Sequence, residues 1–182
     1  MATLERAFGY ALESGVPQAI CECANSLGGA IYASCRNADP DAKADALANA
    51  EAMIRTSLDV ATEEDDLPAI AAAESSLGAV IIERGDWVEG RLWAARALEK
   101  TRASGDLLSE GEALASLAEC DRELGALDAA LASLEQAYAI AATQQAKPLL
   151  RRVHLQISQT LERAGRHADA LTHYKRHHAL ER

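Results

Sequence analysis

Small and large apolar positions alternate along this chain at helical spacing, and the pattern returns every 40 residues. Leu77, Leu117 and Ile157 align at that offset. Behind them come the small residues Gly78, Ala118 and Ser158, then the glycines Gly85, Gly125 and Gly165. Further along the same register fall Trp87, Leu127 and His167, then Gly90, Ala130 and Ala170, then Ala94, Leu134 and Tyr174. Small residues recur where two helices must approach closely, and the larger ones recur where they fill the space between. A glycine suits the left-handed residue that ends a helix, where other residues meet steric strain. Each 40-residue unit therefore predicts a helix, a tight turn and a second helix.

The register extends to both ends. Residues 4–14 predict a lone second helix, a half-repeat, because Ala7, Phe8, Ser14 and Gly15 match Ala97, Leu98, Ser104 and Gly105. Hairpins follow at 16–62, 67–103, 107–143 and 148–182. In the first hairpin the register slips: Leu27 to Leu77 is 50 residues, so about ten are inserted around 34–43. Asp39-Pro40 reads as an N-cap with proline in the first turn, predicting a long helix over Pro40 to Thr62. Asp66 and Pro68 predict the next helix start in the same way, which gives a structural use to one of the four acids at 63–66. Leu27, Gly28 and Gly29 predict a close approach by another backbone or by a ligand, with packing favoured, since two glycines weaken a helix unless a neighbour needs the room. Trp87 is expected in the core and Trp93 partly outside it. The chain is read as a single domain over 1–182.

The offsets of Leu77, Gly78, Gly85, Gly90 and Ala97, repeated by Leu117, Ala118, Gly125, Ala130 and Ala137, resemble the tetratricopeptide (TPR) repeat. The third unit keeps Ile157, Ser158, Gly165 and Ala170 but has His177 at the final position. The chain departs from that family in its 40-residue period, its missing closing proline, and Glu74, Leu114 and His154 where the family has an aromatic residue. The resemblance implies an all-α, right-handed superhelical solenoid of TPR-like hairpins, about four of them plus the N-terminal half-repeat. It also implies that first helices line a concave face bearing Glu22, Asn25, Tyr32, Glu112, Glu119, Arg122, Arg152 and Gln159, where a protein or peptide partner would bind. The family's chaperone-binding clamp is not expected, because Ser75, Ala79, Ala115 and Glu119 occupy its positions. The final stretch, from Gly165 to Arg182, resembles the last helix of TPR regions in bacterial multidomain signalling proteins, including those with a diguanylate cyclase domain. That likeness implies a regulatory module of a larger cytosolic protein, with the chain cut mid-helix at Arg182.

Composition narrows the functional classes. The 182 residues carry a net charge of −10, from 18 Lys/Arg and 28 Asp/Glu, which argues against a nucleic-acid binder. Residues 1–110 hold 9 basic and 19 acidic residues, whereas 147–182 hold 8 basic and 3 acidic residues and all five histidines. This asymmetry reads first as an ordinary solvated surface, and more sharply as contact between copies through the array ends or a basic end for an acidic partner. No run is apolar enough to cross a membrane, and no leader precedes the first helix, so a cytoplasmic protein is expected. The four cysteines, Cys21, Cys23, Cys35 and Cys120, are expected as free thiols. No phosphate-cradling loop or nucleophile pattern is present, so neither an enzyme nor a cofactor is expected. His173 and His177 share a helix face but have too few companions for a metal site. The alternative to a partner-binding surface is a small-ligand sensor near Asn25, Tyr32 and Arg122, or a structural oligomerisation spacer.

Overall fold

The computed structural model describes residues 2–35 and 39–180. Among these, every regular element is a helix: α1 (Ala2–Ser14), α2 (Pro17–Ser34), α3 (Pro40–Glu63), α4 (Leu67–Arg84), α5 (Trp87–Ser104), α6 (Leu107–Glu123), α7 (Leu127–Thr143), α8 (Lys147–Arg163) and α9 (His167–Ala179). The helices pack into two compact units, Met1–Asp86 and Trp87–Arg182. Within each unit, neighbours in sequence pack as antiparallel pairs. In the first unit α2 also meets α4, and in the second α6 meets α8.

Helix starts are written in the sequence. Asp39, Asp66 and Asp106 cap α3, α4 and α6, each accepting the backbone N–H three residues on, at 3.0, 3.1 and 3.2 Å. These bonds satisfy N–H groups that no helical carbonyl can reach. The segment expected as an insertion falls partly on residues 36–38, which lie outside the described residues, as do Met1, Glu181 and Arg182. The long helix expected after it is present as α3, with 24 residues. Lys43 near its start is ion-paired to Glu83 near the end of α4.

Helix ends reveal a shorter period than the glycines alone. From Asp65 on, positive φ occurs at Asp65, Gly85, Gly105, Gly125, Gln145 and Gly165, every twentieth residue; Gly15 is positive too but stands outside this series. At each turn of the series, the next residue's N–H reaches back to the carbonyl five positions earlier: Asp66 to Ala61 at 2.9 Å, Ala126 to Asp121 at 2.8 Å, Ala146 to Ala141 at 2.9 Å. This is the Schellman closure, which satisfies the last carbonyls of a helix. From α3 to α8, each helix thus ends in one left-handed turn.

The core is built from small residues and aliphatics. Ala24, Ala50, Ala73, Ala115, Ala130, Ala137 and Ala141 are fully buried, with Ile54, Leu77, Ile81, Leu114, Leu134 and Val153 between them. The Gly28-Gly29 pair divides in role. A Cβ on Gly28 would stand 2.6 Å from Ile54 Cγ1 and 3.0 Å from the Ala50 carbonyl oxygen, so α3 needs that space. A Cβ on Gly29 would meet nothing within 4 Å. Ser57 on α3 donates to the Cys21 carbonyl at 2.9 Å, a second tie between α2 and α3. Trp87, expected in the core, is only half-buried as the first residue of α5, a terminal position that its neighbours cover on one side. Trp93 is half-buried too, its Nε1–H donating to Glu89 at 3.2 Å. The four cysteines are free thiols.

Candidate functional site

Within each unit two first helices lie against each other, α2 with α4 and α6 with α8. One face of α2 carries Glu22, Asn25, Gly29 and Tyr32, spaced to lie along one stripe of a 3.6-residue helix. Glu22 is exposed and accepts from Gln18 at 3.1 Å. Asn25 and Tyr32 are half-buried. The Asn25 carboxamide oxygen is itself buried and finds no hydrogen-bond partner among the described residues. Such a group is costly to leave unmade, about 1–3 kcal/mol, unless something else supplies a donor. One turn away, Gly29 leaves open space. The neighbouring first helix, α4, presents Ala72 and Ser75 exposed and Ala79 half-buried. The result is a shallow strip with small walls and one unpaired acceptor.

In the second unit the equivalent face is occupied by the protein's own side chains. Arg122 is only 7% exposed, and it donates to Gln159 at 2.8 Å and to Glu123 at 3.1 Å. Arg163 donates to the other Glu123 oxygen at 2.7 Å and to the Arg122 carbonyl at 3.1 Å. Arg152 reaches Ser116 at 3.1 Å and Glu119 at 3.3 Å, and Gln156 donates to Glu119 at 3.0 Å. Burial pushes the Glu123 carboxyl up, but the hydrogen bonds from Arg163 and Arg122 outweigh it and hold the group below the usual carboxylate range. The structure thus brings Glu119 to Arg152 and Arg122 to Gln159, as rungs of a polar ladder from α6 to α8. Glu112 is exposed beside them. Ser116, Glu123, Gln156 and Arg163 complete the ladder without having been singled out from sequence. The signal for one rung was present: Glu123 and Arg163 are opposite charges one 40-residue repeat apart.

Two further sets of buried titratable groups lie in the second unit. Burial pushes the Cys120 thiol up to about 12, which leaves it un-ionised and unreactive. His154, 5% exposed on α8, lies with its Nδ1 3.2 Å from Nδ1 of His173 on α9, and its ring is 5.3 Å from that of Tyr138 on α7. Burial first, and then the charges of His173, Arg176 and His177, push His154 down to about 4. His177 Nδ1 lies 3.0 Å from the Arg151 carbonyl instead of joining that pair. Among the described residues no three His, Cys, Asp or Glu side chains converge on a point that could hold a metal ion. Nor is any described helix long and apolar enough to cross a membrane.

Repeated helical hairpins closed by left-handed turns, with first helices side by side, define a TPR-like repeat fold. Comparison with known proteins agrees. Residues 69–143 match the tetratricopeptide repeat family model. Among solved structures, the chain is similar to a crystal structure of nearly identical TPR-like repeats from a Podosopora anserina protein assigned as a kinesin light chain. That likeness has a TM-score of 0.61 at 16% identity, covering 99% of this chain and 93% of the other. At that identity the match speaks to the fold. No curated protein sequence matches the chain. TPR repeats generally mediate protein–protein interaction.

Proposed function

We propose that this chain is a protein-interaction module that receives an extended segment of a partner on the first-helix face of α2 and α4. The observation that carries the reading is the buried, unpaired Asn25 oxygen beside the open space at Gly29. A backbone N–H from a docked segment would satisfy that oxygen, and a residue without Cβ lets the segment's backbone come close. Tyr32, one turn beyond Gly29, offers a flat surface for an apolar side chain. The ladder in the second unit favours this location: Arg122, Gln159, Glu119 and Arg152 already have partners there, and the Gln156 oxygen, also buried without a partner among the described residues, lies beside those filled positions and not beside open space. Those four residues then serve recognition indirectly, by fixing the spacing of α6 and α8. The wider role, as the regulatory part of a larger cytoplasmic signalling protein of bacterial type, is supported by the resemblance of the final stretch from Gly165.

The test is a random-peptide display selection on the purified protein, followed by titration of the enriched peptides against variants. Gly29→Arg fills the open space, and Asn25→Ala removes the acceptor. Both should weaken binding about tenfold or more, while Arg96→Ala, at an exposed position of α5, leaves it unchanged. Peptides that bind all variants alike would overturn the proposal, as would a selection that enriches nothing.

A further inference from the structure

The second unit contains a cavity of about 300 Å³ between α7 and α9, and α8 forms its floor. The floor is apolar: Leu131 is half-buried, and Ile157 and Leu161 are 6% and 4% exposed. The rim is charged on both sides, with Glu135 on α7 and Arg176 on α9. Neither side chain has a hydrogen-bond or ion-pair partner among the described residues. The other two rim charges satisfy each other: Arg166 donates through two nitrogens to Asp169, at 3.1 and 2.8 Å.

The repeat provides an internal comparison. Forty residues earlier, Leu131, Ile157 and Leu161 become Arg91, Leu117 and Asp121. There Arg91 Nε donates to Asp121 at 2.6 Å, and Asp121 is 3% exposed. That ion pair fills the position with the protein's own charges. Glu135 and Arg176 correspond to the neutral Ala95 and Gln136, the latter accepting from Arg102 at 3.1 Å. From one repeat to the next, the charges have left the floor and appeared, unpaired, on the rim.

From this we infer that the α7–α9 cavity binds a small zwitterion with an apolar body, namely a free aliphatic or aromatic amino acid. Its side chain would lie on Leu131, Ile157 and Leu161, its carboxylate would take the Arg176 guanidinium, and its ammonium would take Glu135. The volume is at the small end of ligand pockets, which suits a single amino acid. A guanidinium beside an apolar floor recognises a carboxylate through paired N–H donors, and the opposite carboxylate rejects simple fatty acids. This site is separate from the α2–α4 strip and does not rest on the peptide-binding reading.

The experiment titrates L-leucine and L-phenylalanine into the full chain by calorimetry, with N-acetyl-leucinamide as an uncharged analogue. Saturable one-site binding of at least one amino acid is expected, with no heat from the analogue. Arg176→Gln should weaken it about tenfold or more, as loss of a charge-assisted pair does. The double variant Leu131→Arg/Leu161→Asp, which carries the ion pair of the preceding repeat into this position, should abolish it and keep the helicity of the parent. Should that variant misfold, Glu135→Gln replaces it, with weakened binding expected. No saturable binding by either amino acid overturns the inference. So does equal binding of the analogue, or binding indifferent to Arg176→Gln. Gly29→Arg should leave this binding unchanged, which separates the two sites.

Discussion

Gln145 occupies a position that glycine fills in four of the six turns of the 20-residue series. Its φ is +53°, and its N–H donates to the Ala142 carbonyl at 3.3 Å while Ala146 closes on Ala141. An L-residue in this region brings Cβ against the following carbonyl, at a cost of about 1–2 kcal/mol. Gln145→Gly removes that strain but enlarges the freedom of the unfolded chain, worth about 0.4–1 kcal/mol in the other direction. The net expectation is stabilisation by about 0.5–1 kcal/mol, or roughly 1–4 °C in Tm for a chain of this size. The reverse change is a control. A Cβ on Gly125, at φ +83°, would meet nothing within 4 Å, so Gly125→Ala isolates backbone strain from crowding. It should destabilise by a similar amount. Urea unfolding followed by far-UV circular dichroism reads both, as opposite shifts of the midpoint at constant slope. A destabilised Gln145→Gly, or a neutral Gly125→Ala, would refute the view that these turns are equivalent left-handed closures.

Three further outcomes follow from the packing. Gly28→Ala should destabilise by about 1–3 kcal/mol through overpacking against Ile54 and the Ala50 carbonyl, whereas Gly29→Ala should stabilise by about 0.5–1 kcal/mol through helix propensity, both read by chemical denaturation. Arg122→Glu should destabilise the second unit by about 2–3 kcal/mol, because it loses the bond to Gln159 and sets a second carboxylate against Glu123; thermal melts should register this whether or not any partner is present. Burial and nearby cations depress both His154 and His173, so the unfolded chain binds protons that the folded one refuses. The stability this gives is complete above the ordinary histidine value of about 6.5 and is lost as pH falls from there towards 4, at about 1.4 kcal/mol per pH unit for each proton taken up. Denaturation midpoints between pH 7.5 and 5 should fall in the parent and fall less in His154→Phe.

The fold was legible where side-chain chemistry forces backbone geometry. Gly85, Gly125 and Gly165 exposed the 40-residue period, and Asp39 and Asp66 announced helix starts. The 20-residue half-period was visible only in Gly85, Gly105 and Gly125, because Asp65 and Gln145 take the left-handed turn without glycine, held there by the Schellman bonds. The double glycine pointed to a close approach, but nothing local distinguishes Gly28, facing α3, from Gly29, facing open space. That difference depends on where the neighbouring helix lies. Trp87 aligned with core positions, yet its place at the start of α5 leaves it half-covered.

The candidate site was legible as a face and not as a set of partners. The register placed Glu119, Arg122, Arg152 and Gln159 on first helices, and they are there. It could not say that Arg122 is buried, because that depends on Gln159 meeting it from α8 while Glu123, the next residue on α6, holds its other side. Asn25 shared the same reading but has no partner one repeat on, where the first helix offers only alanine and serine. The cavity between α7 and α9 was not anticipated at all. Its signal was the exchange of Arg91 and Asp121 for Leu131 and Leu161, visible only when positions one repeat apart are compared for charge as well as size.

Amide hydrogen exchange on the protein, alone and saturated with a selected peptide, tests the central claim most directly. Slowed exchange on binding should concentrate in α2 and α4, over 17–34 and 67–84, with α6 and α8 unchanged because their ladder is already made. Protection confined to α5–α9, or none anywhere at saturation, would contradict it.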